Sequence, residues 1–192
     1  MTFIRHDTVR PWRFYALAGV LYALALFSKT TACTLPAAFV LVLWLRREAI
    51  NLPRVLQIAP FLVLGVAMGL VSVWWEGHLG NYQENLGLDF SLPERFLIAT
   101  RAVWFYLGKL IWPLNLTFSY PRWALNPRDP AQYVWAAACI AVAVFLWRKR
   151  RTLNRGVIAS AVFFVAMLSP LLGFFSLYTF YYTFVADHYQ YF

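Results

Sequence analysis

Leu56–Trp75 runs for 20 residues without one charged side chain, and Gly156–Phe175 does the same. A helix of that length, at 1.5 Å per residue, matches a bilayer's hydrocarbon core of roughly 30 Å. Ala131–Trp147 is shorter and equally uncharged. Phe14–Phe27 and Ala32–Leu45 are separated only by Ser28-Lys29-Thr30-Thr31, so the two helices, extended into that polar tip, form a tight hairpin. With 61% hydrophobic and 13% charged residues, the chain departs far from soluble-domain usage. The fold class expected is all-α: a polytopic transmembrane bundle of about five spanning helices.

The opening "MTFIRHDTVRPWR" has the basic character of a signal-peptide n-region. No small-residue cleavage site follows, and the adjoining run reads as a first span. Cys33 and Cys139 both fall inside apolar runs, where cysteine acts as a small buried hydrophobe. No compact metal-ligand spacing, glycine-rich phosphate loop or nucleophile elbow is present.

The net charge of +9 raises the question of nucleic acid, and its distribution answers it. Arg5, Arg10 and Arg13 precede the first run, Arg46, Arg47 and Arg54 lie between the second and third, and "RKRRTLNR" (148–155) adds five more. These are 11 of the 17 basic residues, accompanied only by Asp7 and Glu48. The positive-inside rule places all three connections in the cytoplasm, with the amino terminus inside and the carboxyl terminus outside. Nucleic acid is excluded as a partner; the bilayer is the partner expected.

That topology requires Pro93–Trp112 not to span. Its Glu94, Arg95, Arg101 and Lys109 fall within about 120° of arc on a helical wheel, which suits a helix lying in the membrane interface. It sits inside a long outer loop, residues 76–130. The outer side then holds six basic residues (Lys29, Arg95, Arg101, Lys109, Arg122, Arg128) and six acidic ones (Glu76, Glu84, Asp89, Glu94, Asp129, Asp187). All chemistry is expected on that face.

Four outer cations are candidates for a phosphate group. Lys29 stands among Ser28, Thr30 and Thr31, a set that can clamp a lipid phosphate or simply end two helices with a snorkelling lysine. Arg101 and Lys109 share one side of the interfacial helix. Arg122 lies among aromatics in "WPLNLTFSYPRW" (112–123), where arginine can bind phosphate bidentately or anchor an aromatic belt. Asn115-Leu116-Thr117 matches a glycosylation sequon, a weak signal on its own. Glu76, Tyr120, Asp187 and His188 are candidates for lining an outer cavity, with no metal assigned. The "YTFYYTF" run has the composition of an interfacial belt.

Three segments in order, "ALALFSKTTACTLPAAFVLVLWLRR", "RAVWFYLGKLIWPLNLTFSYPRW" and "FVADHYQYF", resemble a family of bacterial polytopic membrane proteins. In that family tetratricopeptide repeats usually follow the membrane part. The family is similar in turn to the transmembrane and tetratricopeptide-repeat O-mannosyltransferases of the GT-C glycosyltransferase class. The resemblance implies an inner-membrane enzyme that takes a sugar from a polyprenyl-phosphate carrier on the extracytoplasmic face and passes it to an acceptor such as a protein. It also allows a divalent metal in the full-length protein. The family's carboxylate in a first outer loop has no counterpart here, and its Lys-Glu pair at the hairpin is Lys29-Thr30. The catalytic residue is therefore unassigned. Residues 1–192 are expected to be part of a single membrane domain, with "VADHYQY" leading into a further helix and Phe192 a truncation point. The alternative from another class is a transporter-like or lipid-binding scaffold that anchors a repeat domain.

The topology has a direct check. Gly80→Cys and Asn126→Cys should both react with a membrane-impermeant thiol reagent from outside; protection of position 126 alone would mean that 93–112 spans.

Overall fold

The computed structural model describes residues 11–78, 90–174 and 178–190. Arg5, Arg10, Glu84, Asp89, Phe192 and the side chain of Glu76 lie outside the described residues. The described secondary structure is helical throughout. Its α-helices are α1 (Pro11–Ser28), α2 (Leu35–Leu45), α3 (Leu52–His78), α4 (Leu92–Ile111), α5 (Val134–Lys149) and α6 (Arg155–Leu168). Short 3-10 segments lie at Thr30–Thr34, Pro130–Tyr133, Ser169–Leu171, Tyr178–Tyr181 and Asp187–Gln190.

The boundaries follow from local chemistry. Glu94 accepts from the Ser91 amide and closes a capping box at the start of α4, satisfying amides the first turn leaves unpaired. Asn154 accepts from the Gly156 amide at the start of α6, and Asp129 accepts from that of Ala131 ahead of α5. The uncharged run 156–175 is not helical to its end. Pro170 follows α6 within a 3-10 turn, and Gly173 adopts φ 89, a left-handed turn open to glycine at little cost. A β-carbon there would also meet Ile98 Cγ2 at 3.0 Å.

Two stretches are long and apolar enough to cross a bilayer, Leu52–Trp75 and Pro130–Lys149. The other three apolar helical stretches are shorter: Trp12–Ser28, Thr30–Leu45 and Arg155–Leu171. Outward faces on these helices are apolar and bare: Val63 is 67% exposed, Leu70 65% and Trp147 68%. Apolar patches of that extent are rare on a monomer in water.

Helix directions follow from a few contacts. Tyr15 stacks edge-on against Phe61 and donates to the Gln57 carbonyl, while Tyr22, two turns later, meets Phe61 and Gly65; α1 and α3 are therefore parallel. Thr34 at the start of α2 donates to Met167 Sδ at the end of α6 (3.3 Å), and Arg155 at the start of α6 lies over Trp44 at the end of α2 (5.6 Å); α2 and α6 are antiparallel. Trp104 Nε1 donates to the Trp135 carbonyl and Cys139 Sγ to that of Thr100, so α4 and α5 are antiparallel. Cys33 and Cys139 are free and half-buried.

The buried core gathers at one end. Ala99, Ala102 and Tyr106 of α4 pack with Leu168, Leu171 and Leu172 below the C-terminal segment's Val185, Ala186 and Tyr189. Phe90, Ile98, Phe180 and Phe184 form the adjoining cluster. The buried face of α4 overlaps its charged arc rather than opposing it: Ile98 and Ala102 fall within that arc, Tyr106 and Ala99 lie just beside it, and all four are buried.

Gly65 is buried where the α1–α2 hairpin crosses α3. A β-carbon would collide with the Tyr22 hydroxyl and approach the Cys33 carbonyl at 3.1 Å. Gly65→Ala should cost about 1–3 kcal/mol of stability, as overpacking does. Gly69→Ala, with nothing within 4 Å, should leave the thermal transition in detergent near the parent's.

Candidate functional site

The second and third of the quoted segments meet. After α4 the chain folds back along it as residues 112–125. The C-terminal residues 180–190 lie against both. Asp187, only 8% exposed, joins them. Its Oδ2 accepts from the Thr117 amide at 2.6 Å and from the Tyr120 hydroxyl at 2.8 Å. The Tyr120 hydroxyl is shared with the Asn115 carbonyl, 3.0 Å away. The Tyr120 amide donates to Thr183 Oγ1 at 3.2 Å. Beneath this layer the Tyr106 hydroxyl accepts from the Ala186 amide (3.2 Å) and donates to the Ala186 carbonyl (3.4 Å). Burial pushes the Tyr106 phenol well above the ordinary tyrosine range, so it remains neutral and keeps both bonds.

Asp187 Oδ1 and His188 Nδ1 are buried and have no hydrogen-bond partner. The imidazole of His188 stacks on Phe118, with ring centroids 4.5 Å apart and planes 14° from parallel. Among the described residues the one ion pair is Arg54–Glu48, so Asp187 is held by neutral donors rather than a cation. Asp187 Oδ1 is covered as well as unpartnered, so a partner such as an ordered water, or a group admitted when the layer opens, is needed to satisfy it.

Three of the four candidate cations border this layer. Lys109 donates to the carbonyls of Leu114 and Asn115 and lies 5.1 Å from the centre of the Tyr120 ring. Arg101 sits over Trp123 at 4.4 Å, and burial pulls its guanidinium below the ordinary arginine range. Arg122 is exposed and lies over Phe184 (5.2 Å) and Phe90 (5.7 Å). Lys29 is exposed at the turn between α1 and α2; the hairpin it tops meets the end of α6 through Thr34 and Met167. Of the cavity candidates, Tyr120, Asp187 and His188 come together, and Glu76 is the one whose side chain falls outside the description.

Two expectations for the C-terminal run change. "YTFYYTF" is not a continuous interfacial belt: Phe180 and Phe184 are fully buried, whereas Tyr181 and Tyr182 are exposed. The tight 3-10 turn at Tyr178–Tyr181 separates residues that a straight helix would leave in one band. The residues after it are among the most buried in the chain instead of presenting apolar side chains outward.

Thr117, Thr183 and Tyr106 are site residues that sequence reasoning did not single out. Thr117 contributes its backbone amide, which no side-chain pattern announces. Tyr106 did carry a signal, as a polar-tipped aromatic on the buried arc of an amphipathic helix.

No model of a known protein family, no curated protein and no solved structure matches the chain.

The Asp187 clasp is open to measurement. Hydrogen bonds to a charged acceptor are each worth about 1.5–3 kcal/mol, so Asp187→Ala should lower the unfolding transition in detergent and speed protease cleavage within 112–123. Tyr120→Phe, which leaves the Thr117 bond in place, should do less of both. An unchanged cleavage rate in Asp187→Ala would mean the loop is held by other contacts.

Proposed function

We propose that this chain is part of an integral-membrane glycosyltransferase that takes a sugar from a polyprenyl-phosphate carrier, with the Asp187 layer as the floor of its donor site. The observation that carries this reading is the convergence of Asp187, Tyr120 and Thr117 from two segments about 70 residues apart, both among those quoted for the family resemblance. Asp187 Oδ1 is free to accept from a sugar hydroxyl, and the Phe118–His188 pair offers a flat face of the kind on which sugar rings stack. Arg122, Lys109 and Arg101 would face the phosphate. A phosphate leaving group gains most from cations fixed where its charge develops.

In this reading α1, α2 with its 3-10 segment, α3, α5 and α6 cross the inner membrane, and α4 packs antiparallel to the first turns of α5 and against the end of α6. The antiparallel α2–α6 pair supports that arrangement, because it brings the basic connections 46–54 and 148–155 to one end. The amino terminus is then cytoplasmic, and the Asp187 layer faces out. In addition to its sugar contact through Oδ1, Asp187 holds through Oδ2 the loop that presents Arg122.

A second reading, a membrane scaffold without transfer activity, is favoured by one specific feature. Arg101, Lys109 and Arg122 already rest on ring faces or backbone carbonyls, as struts do.

Titration of the purified chain with a polyprenyl-phosphate hexose separates the two. Donor binding should saturate, and Arg122→Ala should weaken it roughly tenfold, the loss of one charge-assisted phosphate contact. Asp187→Asn should weaken the hexose-bearing carrier more than polyprenyl phosphate without sugar. Absence of saturable binding, or equal affinity in Arg122→Ala, would leave the scaffold.

A further inference from the structure

The opposite end of the bundle carries a second arrangement, independent of the sugar-transfer reading. Helix α2 ends in Arg46 and Arg47, and Arg155 begins α6; all three are exposed. The antiparallel packing brings these arginines, more than 100 residues apart in sequence, to the same end of the α2–α6 pair. There the Arg155 guanidinium lies 5.6 Å from the centre of the Trp44 ring. The nearby carboxylate, Glu48, is already taken by Arg54 at 3.3 Å.

Arg47 adopts φ 59. That left-handed position after a helix is usually filled by glycine, because a β-carbon there is strained. A cation is kept at this turn in spite of the backbone.

Adjoining it, a groove of about 270 Å³ runs along the α2–α6 seam, lined by Ala37, Ala38, Leu41, Trp44, Val162 and Phe163 among others. Its walls are apolar, and the small side chains at 37 and 38 leave room between the helices. Trp44 belongs to both features: its ring closes the basic end of the groove and lies under Arg155. A tryptophan at the junction of apolar groove and cationic turn marks the level of a headgroup.

We propose that the α2–α6 seam binds one anionic phospholipid, with its phosphate among Arg46, Arg47 and Arg155 and an acyl chain laid in the groove below Trp44. Charge complementarity selects this occupant. A zwitterionic lipid brings its own cation to three arginines, and a free phosphate leaves the groove unfilled. General attraction between basic loops and an anionic surface is diffuse and shared by every arginine nearby; a built site instead retains a single lipid and distinguishes among those arginines.

Native mass spectrometry and thermal unfolding of the purified protein, with phosphatidylglycerol, phosphatidylcholine or inorganic phosphate added, test this. One phosphatidylglycerol should remain bound through detergent exchange and raise the unfolding temperature by mass action. Phosphatidylcholine at the same mole fraction should do neither. Alanine at Arg46, Arg47 or Arg155 should weaken phosphatidylglycerol roughly fivefold for each arginine removed, with Arg155→Lys recovering most of the loss. Arg150, stacked on Trp147 at 4.0 Å, is the control; Arg150→Ala should change binding less than twofold. Ala38→Trp, which fills the groove, should also release the lipid. Equal retention of the two lipids, equal loss at Arg150 and Arg155, or stabilisation by inorganic phosphate matching that by phosphatidylglycerol would each overturn the proposal.

Discussion

One carboxylate oxygen ties this structure together at its buried end. Asp187 Oδ2 holds the Thr117 amide and the Tyr120 hydroxyl, and so fixes residues 112–123 to the C-terminal segment. Burying a carboxylate costs several kcal/mol in desolvation, and here no cation repays it. Two short hydrogen bonds to a charged acceptor offset part of that cost, and the packing they permit supplies more. With Tyr120 fixed, Phe105 stacks edge-on against it at 4.8 Å and Lys109 reaches the loop carbonyls. Arg101 then has Trp123 to lie on. The layer is interdependent: Asp187 fixes the path of the loop, and Tyr120, Trp123 and Leu125 pack against the core beside it.

Two different forces hold the two parts of the molecule. Around α4, side chains are buried to nearly nothing and the hydrophobic effect operates in the usual way. Along α1, α3, α5 and the outer sides of α2 and α6, apolar side chains remain bare, so helix association depends on close fit. Gly65 is the clearest instance, since Tyr22 and Cys33 occupy the space a side chain would need. At that crossing a small residue permits close approach, whereas the end cap packs by large aromatics.

The two ends also differ in the chemistry they offer. At one, an acid with a spare oxygen is surrounded by aromatics and cations that are partly engaged, an arrangement suited to a polar, ring-shaped headgroup. At the other, arginines from two connections stand beside an open apolar groove, which suits an anionic amphiphile. Both lie at the ends of apolar helices.

The sequence by itself determined the helices and where most of them stop. Uncharged runs must be helical in lipid, because every backbone amide and carbonyl there has to be paired within the segment. The clustering of arginines 46–54 and 148–155 already implied that these connections share a side, and the Trp44–Arg155 contact agrees. Ser91 and Glu94 announced the start of α4. The last apolar run reads as helical through Phe175, whereas the helix ends at Leu168, with Pro170 and Gly173 beyond it. What only the tertiary structure decided is which polar groups meet. Asp187 and Tyr120 could be named as site candidates, but their bond depends on a loop returning along α4 and on a 3-10 turn that buries Phe180 and Phe184 while exposing Tyr181 and Tyr182. Composition cannot specify that choice, because all four are aromatic and only the path of the backbone distinguishes inside from outside. The Thr117 amide lay further still beyond reach, since every residue but proline has one and only folding gives it a partner.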